Sequence, residues 1–356
     1  MEKLVLPLLL ALTLGLVSTP FVIRMAHRWN AVDFPDSRKV HRQPMPRLGG
    51  LAVYIAFAAT LLLTQDLSRE IYGLLLGATL IVLLGILDDI RGISARQKLL
   101  GQIVAASAVI PFGLQVEFIT NPLQGGLITL GFWGIPITVF WLVSVTNAVN
   151  LVDGLDGLAA GTGVIASITL AVIAWIEGQV PAFILACILA AATLGFLPYN
   201  FHPARVFLGD TGSMFLGFTL AATAVLGLTK SAMALSVIIP VVILGIPLFD
   251  TAFAVLRRYR KRRPIFYPDR EHLHHRLLMA GLSHRGAVLA VYTVNLVLGA
   301  SAVLVTMLSS DQAVALLVIV AFVLLVVANR VGILEEPLPG QKESAEDLEG
   351  YKRTGM

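Results

Sequence analysis

The chain has 356 residues, of which 57% are hydrophobic and 13% charged, with a formal net charge of +4. With a mean hydropathy of +0.83, this composition excludes a water-soluble globular protein and predicts an all-α polytopic membrane protein. The single cysteine, Cys187, lies in an apolar run, so it makes no intrachain disulfide and reads as core packing.

Crossing a hydrocarbon core of about 30 Å takes roughly 20 apolar residues. Such runs lie near 3–23, 48–65, 70–87, 99–116, 132–149, 158–176, 181–198, 212–228, 234–255, 287–308 and 313–330, which predicts eleven transmembrane helices. The number falls to ten if Pro111, Gly113, Pro122, Gly125 and Gly126, which interrupt the region between the fourth and fifth runs, remove one span. The first run is too long for a signal-peptide core, and no small-residue cleavage site precedes Arg24 and Arg28, so it is expected to be retained.

With eleven spans, segments 24–47, 88–98, 150–157, 199–211, 256–286 and the stretch after 330 share one side of the membrane. All 26 Lys and Arg except Lys3, Arg69 and Lys230 fall in these segments or at the edges of the adjoining spans. The positive-inside rule then puts the amino terminus outside, the carboxyl terminus in the cytoplasm, and these loops at the inner face of the cell membrane. Basic loops there favour anionic headgroups and phosphorylated substrates. Residues 332–356, polar and carrying Pro337, Pro339 and Gly340, read as a disordered cytoplasmic tail.

The same loops hold the chain's polar motifs. His41-Arg42-Gln43-Pro44-Met45-Pro46-Arg47-Leu48-Gly49-Gly50 leads into the second span with fixed backbone and three basic side chains that can meet phosphate. Asp88-Asp89 closes the third span, where two adjacent acids face the negative end of the helix dipole. A divalent cation or a bound cationic group offsets that charge on one reading; Arg91 and Arg96 do so on the other. Lys98, at the start of the fourth span, reaches back toward the same surface, either to a phosphate or as an interfacial anchor.

Asn147-Ala-Val-Asn150-Leu-Val-Asp153-Gly-Leu-Asp156-Gly157 sets two amides and two carboxylates at three-residue steps after an apolar run. Gly154 and Gly157 argue against an unbroken helix. The expected form is a helix whose last turns carry Asn147 and Asn150 and a loop carrying Asp153 and Asp156, all facing one polar cavity. Amides suit a sugar or a nucleobase, and carboxylate oxygens suit Mg²⁺. Helix-to-helix bonding by the amides is the alternative, and it leaves two acids unpaired. Gly157 and Gly161 also match a small-xxx-small packing pattern.

Asn200-Phe-His202-Pro-Ala-Arg205-Val-Phe-Leu-Gly209-Asp210-Thr-Gly212-Ser213 is a short loop running into a helix whose amino end favours anions. Asp210 is either a functional acid or a simple N-cap. Farther on, Arg257 to Arg263 form a basic cluster of the kind that sets topology and meets lipid headgroups. Asp269-Arg270-Glu271-His272-Leu273-His274-His275-Arg276 packs three histidines into four positions. Phosphate donation is the favoured reading of these imidazoles and metal ligation the other, with no cysteine nearby to complete a zinc set.

Taken in order, Pro46 to Gly50, Leu87-Asp88-Asp89, Gln97 to Gln102, Asn147 to Gly157, Asn200 to Ser213 and His272 to Arg276 resemble the polyprenyl-phosphate N-acetylhexosamine-1-phosphate transferases. The spelling of residues 269–276 is similar to the branch that uses UDP-N-acetylglucosamine. The branch that uses UDP-N-acetylmuramoyl-pentapeptide typically has three consecutive histidines where this chain has His272-Leu-His274-His275. The resemblance implies a single catalytic domain over 1–331 that moves GlcNAc-1-phosphate from UDP-GlcNAc to undecaprenyl phosphate and releases UMP, starting an envelope polysaccharide or teichoic acid. It implies Mg²⁺, with Mn²⁺ as a substitute, held by Asp210 and Asp153, and catalytic roles for Asp88, Asp89 and Asp210. Lys98, Asn147, Asn150, Asp153, Asp156, Asn200, His272, His274, His275 and Arg276 are the implied substrate contacts. The partners are the two substrates and bilayer lipid, with no nucleic acid and with room for a homodimer. An ion-coupled transporter is the competing class, and it requires ionisable groups near the bilayer midplane.

Overall fold

The computed structural model describes residues 2–34, 44–120, 127–228, 238–260 and 272–330. His41, Arg42, Asp269 to Glu271 and the tail lie outside the described residues. In chain order the elements are α1 (Glu2–Arg28), β1 (Val32–Asp33), β2 (Met45–Pro46), α2 (Gly49–Thr64), α3 (Arg69–Arg91), α4 (Ala95–Ala108), β3 (Phe118–Thr120), β4 (Leu127–Thr129), α5 (Gly134–Val152), α6 (Leu158–Ile176) and α7 (Val180–Asn200). They continue through α8 (Gly209–Leu228), α9 (Ile238–Ile243), α10 (Gly245–Arg260), α11 (Leu273–Met279), α12 (His284–Val305) and α13 (Ser310–Arg330). The strands form two small antiparallel pairs, β1 with β2 and β3 with β4.

An all-α polytopic fold is what composition predicts and what the chain adopts. Seven of the described helices, α1, α3, α5, α6, α7, α12 and α13, are long and apolar enough to cross a bilayer. The run expected over 99–116 is interrupted after Ala108, where Pro111 and the left-handed Gly113 (φ 93°) turn the chain. The run expected over 234–255 is divided into α9 and α10, because Pro247 has no N–H to return to the Ile243 carbonyl. With 16 residues, α2 spans about 24 Å at roughly 1.5 Å per residue.

At the centre stands α8, which packs against α2, α3, α5, α6 and α7. Its Met214, Phe215, Leu216, Phe218, Leu220 and Ala221 are at most 1% exposed on every side of the helix, the signature of a fully enclosed element. The opposite holds for α13, whose Val318, Ile319 and Phe322 are about 60% exposed, as lipid-facing side chains are.

The polar end of α8 is reached by backbone lacing. Phe207 N donates to Pro46 O (2.8 Å), Gly49 N to Phe207 O (3.0 Å) and Gly50 N to Leu208 O (2.8 Å). Gly50 lies directly against Gly212, so any side chain there would overlap the α8 backbone. The result is that Arg47, on the loop before α2, sits over the first turn of α8.

Candidate active site

Asp210 is the hub. Its Oδ1 accepts from Lys98 Nζ (2.8 Å) and from Asn150 Nδ2 (2.6 Å), and its Oδ2 lies 3.5 Å from Arg47 Nη2. The Asn150 amide also donates to Ser213 Oγ (2.8 Å), and Ser213 in turn donates to Gly209 O (2.8 Å), so the amide is locked to the α8 turn it serves. Lys98 comes from the first turn of α4, which a Ser94 and Gln97 capping box starts at a fixed point. Its ammonium also meets Asp88 Oδ2 at 2.5 Å, so one lysine bridges the ends of α3 and α8.

The two adjacent acids at the end of α3 do different work. Asp88 Oδ1 accepts the Ile93 N–H (2.9 Å), and its other oxygen faces Lys98. Asp89, with a fully buried side chain, accepts Asp210 N (3.0 Å), Thr211 N (2.9 Å) and Thr211 Oγ1 (2.7 Å), with Arg47 Nε 3.6 Å away. Asp89 therefore caps α8 from a neighbouring helix, and the N-cap role considered for Asp210 belongs to it. Among the described residues the cations beside this acid pair are Lys98 and Arg47, not Arg91 and Arg96.

The stretch from Asn147 to Asp156 has the expected form, with α5 ending at Val152 and a loop beyond, but its four polar side chains do not share one cavity. Asn147 faces α4, exchanging bonds with Gln102 (2.6 and 3.3 Å), whose amide also touches Met214 Sδ. Asn150, about one turn on, faces Asp210. Asp153 is the C-cap residue of α5, near enough to Asp210 to feel its charge. Asp156 turns the other way: its Oδ2 meets His202 Nδ1 (2.8 Å) and accepts Ala204 N (3.1 Å), and its backbone N–H donates to His284 Nε2 (3.0 Å). Asn200 is buried, donates to Val206 O (3.0 Å) and closes the 201–206 loop on itself, while its Oδ1 has no protein partner.

The histidines reach the same loop from α11. The helix starts at Leu273, so His272 is its N-cap residue rather than a member of a helical face shared with His275. His272 and His274 are about 5% exposed, with nearly parallel rings 6.1 Å apart, and the His275 ring lies 4.2 Å from that of His274. Arg276 follows one residue on. The His274 imidazole lies over Gly154, where a Cβ would collide with it, one residue from Asp153. Burial, then the charge of His275, pushes the His274 pKa down to about 3, so the ring is neutral at physiological pH.

Asp153 and Asp210 both offer carboxylate oxygens, the donor type a hard divalent cation takes. Burial first, then the charges of Asp210 and Asp89, pushes Asp153 up to about 8, with Arg47 acting the other way; the Asp210 oxygens face Lys98, Asn150 and Arg47. A second cluster, Asp156, His202 and His284, brings three donor atoms within 4.8 Å of one another. Its two imidazoles suit softer metals, and its hydrogen bonds already account for the geometry.

The sequence marked Arg47 only as one of three basic side chains able to meet phosphate, and it gave no site role to Gln102, His202, His284 or Asp250. Asp250 had a usable signal: it is an acid in the apolar run that forms α9 and α10.

Glycosyl transferase family 4 matches residues 71–228, the stretch from α3 to the end of α8. The chain is 41% identical, over 94% of both lengths, to a probable undecaprenyl-phosphate N-acetylglucosaminyl 1-phosphate transferase of Bacillus subtilis. It is 38% identical, over 80% of its own length and 78% of the relative's, to a decaprenyl-phosphate N-acetylglucosaminephosphotransferase of Mycolicibacterium smegmatis. A phospho-N-acetylmuramoyl-pentapeptide-transferase of Halalkalibacterium halodurans is 31% identical over 82% of this chain and 93% of that protein. With this similarity running through every element that builds the Asp210 cluster, the chain belongs to glycosyl transferase family 4, the polyprenyl-phosphate N-acetylhexosamine-1-phosphate transferases.

Proposed function

We propose that the protein transfers GlcNAc-1-phosphate from UDP-GlcNAc to undecaprenyl phosphate and releases UMP, at a site facing the cytoplasm. The observation that carries this reading is the meeting of Asp88, Lys98, Asn150 and Asp210 at the first turn of the enclosed α8 helix. The relatives named for the same chemistry with GlcNAc supply the donor and the lipid. Eleven spans, an external amino terminus, a single catalytic domain over 1–331 and a cytoplasmic tail from 332 complete the proposal, supported by the one-sided placement of Lys and Arg.

In this reaction an oxygen of the lipid phosphate attacks the phosphorus that bears the sugar, and the bond to the UMP oxygen breaks. The charge on three phosphates has to be offset in a dehydrated site, so electrostatic positioning dominates. Lys98 and Arg47 supply fixed cations. Asp88, facing Lys98 at the surface end of α3, accepts the residual proton of a lipid phosphate that is already largely dianionic, its second pKa being about 6. Asp210 and Asp153 would hold Mg²⁺, with Mn²⁺ as a substitute; when bound, the ion neutralises charge developing on the leaving pyrophosphate oxygen. Asn150 keeps the Asp210 carboxylate oriented. Asp89 acts through α8 by fixing its first turn. The neutral His274 ring and its neighbours His272, His275 and Arg276 serve the donor's sugar and phosphates, and Asn200 and Asp156 shape the nucleotide side.

UDP-MurNAc-pentapeptide is the second donor reading, and the interruption of the histidine run by Leu273 disfavours it. The experiment is a panel of UDP-sugars given to purified protein with undecaprenyl phosphate and Mg²⁺. UMP release with UDP-GlcNAc supports the proposal; release only with the pentapeptide donor replaces it, and the absence of release with every donor defeats the enzyme reading.

A further inference from the structure

Asp250 lies in the second turn of α10, with a side chain 10% exposed. A carboxylate buried there is costly unless both oxygens are used. Both are, and on one target: Oδ2 meets His272 Nδ1 at 2.9 Å, and Oδ1 accepts the Leu273 N–H at 2.9 Å. His272 occupies the N-cap position of α11 but makes no capping bond of its own. The cap comes instead from α10, and it adds a negative charge at the positive end of the short helix.

This contact also fixes the ring. With Nδ1 held by the carboxylate, the proton on that nitrogen donates to Asp250 and Nε2 is left as the open position. Downstream, α11 carries His274 over Gly154, beside Asp153. Upstream, α10 packs on α5, the helix that carries Asn150. One carboxylate thus ties the histidine turn to the frame that holds the Asp210 cluster.

We propose that Asp250 is a positioning residue of the donor site, acting through the His272 imidazole to seat the histidine turn on the Asp153 loop; the proposal rests on the donor role given to those histidines above. Asp250→Asn keeps the side-chain volume and one acceptor but loses the charge. In the full-length protein it raises the KM for UDP-GlcNAc at least about tenfold and leaves the KM for undecaprenyl phosphate within about twofold. In a His272→Ala background the same change adds less than about twofold, because the contact it acts through is gone. A purely structural role would lower both KM-independent turnover and thermal stability in either background.

An unchanged donor KM in folded Asp250→Asn, or full additivity with His272→Ala, overturns the proposal. Should Asp250→Asn not fold, His272→Asn and His272→Ala read the same contact, since an Asn amide N–H stands where Nδ1–H does. The donor KM is then at least about fivefold lower for the Asn variant than for the Ala variant, and equal values overturn the proposal. If His272→Ala itself leaves the donor KM unchanged, the donor role of the histidines falls; if it raises that KM and Asp250→Asn does not, only the role of Asp250 falls.

Discussion

The Lys98 ammonium stands between two carboxylates, 2.5 Å from Asp88 Oδ2 and 2.8 Å from Asp210 Oδ1. The pair it joins comes from the carboxyl end of one helix and the amino end of another, so a single side chain holds the two halves of the cluster at working distance. Lys98→Gln leaves two buried acids facing each other without their shared cation. Breaking such a contact costs on the order of 3–5 kcal/mol. The expected outcome is a loss of UMP release of at least about a hundredfold together with a clearly lower unfolding temperature, read by activity assay and scanning fluorimetry in detergent.

Asp89→Asn separates capping from chemistry. Asp89 accepts three hydrogen bonds from residues 210 and 211 with both oxygens, and an amide has only one oxygen to offer. Bonds to a charged acceptor are worth about 1.5–3 kcal/mol each, so this variant loses thermal stability as well as turnover. Asp210→Asn, by contrast, keeps a folded protein and loses turnover. Equal melting temperatures for Asp89→Asn and wild type would contradict the capping role.

Gly154→Ala tests how closely the histidine turn is seated. The added methyl meets the His274 ring, and α11 has to move away from the Asp153 loop. The KM for UDP-GlcNAc rises about tenfold or more while the KM for the lipid substrate stays near its original value. Parallel changes in both would mean that the loop serves the two substrates equally.

His274 makes the fold acid-sensitive. Its pKa is about 3 in the folded protein against 6.5 for the free side chain, so the unfolded chain binds the extra proton first. Stability attributable to this group is intact above about pH 6.5, falls as the pH drops toward 3, and changes no further below that; at about pH 5.5 the loss is about 1.4 kcal/mol. His274→Gln flattens this part of the stability profile. A profile with the same slope in both proteins would remove His274 as its source.

How far the site was legible in the sequence follows from what each residue touches. Asp88, Lys98, Asn150 and Asp210 were readable because charged and amide groups in an apolar chain have to be functional or paired, and they fall in segments that the eleven-run reading groups together. Which acid caps and which faces the site was not readable, since Asp88 and Asp89 differ only in direction around α3, and that direction is set by contact with α8. Asn147 looked equivalent to Asn150, but its partner Gln102 lies on another helix. Asp250 escaped notice as one acid in a long apolar run, and its purpose appears only when α11 is folded against it. The break in the 234–255 run had a sequence signal in Pro247, which a count based on hydropathy alone passes over.

The most direct test compares wild type with Asp210→Asn, both purified at full length and supplied with UDP-GlcNAc, undecaprenyl phosphate and saturating Mg²⁺, measuring UMP release. Wild type is expected to release UMP, and the variant, still folded, to do so at a rate at least about a thousandfold lower. Turnover by Asp210→Asn within a few-fold of wild type would contradict that expectation.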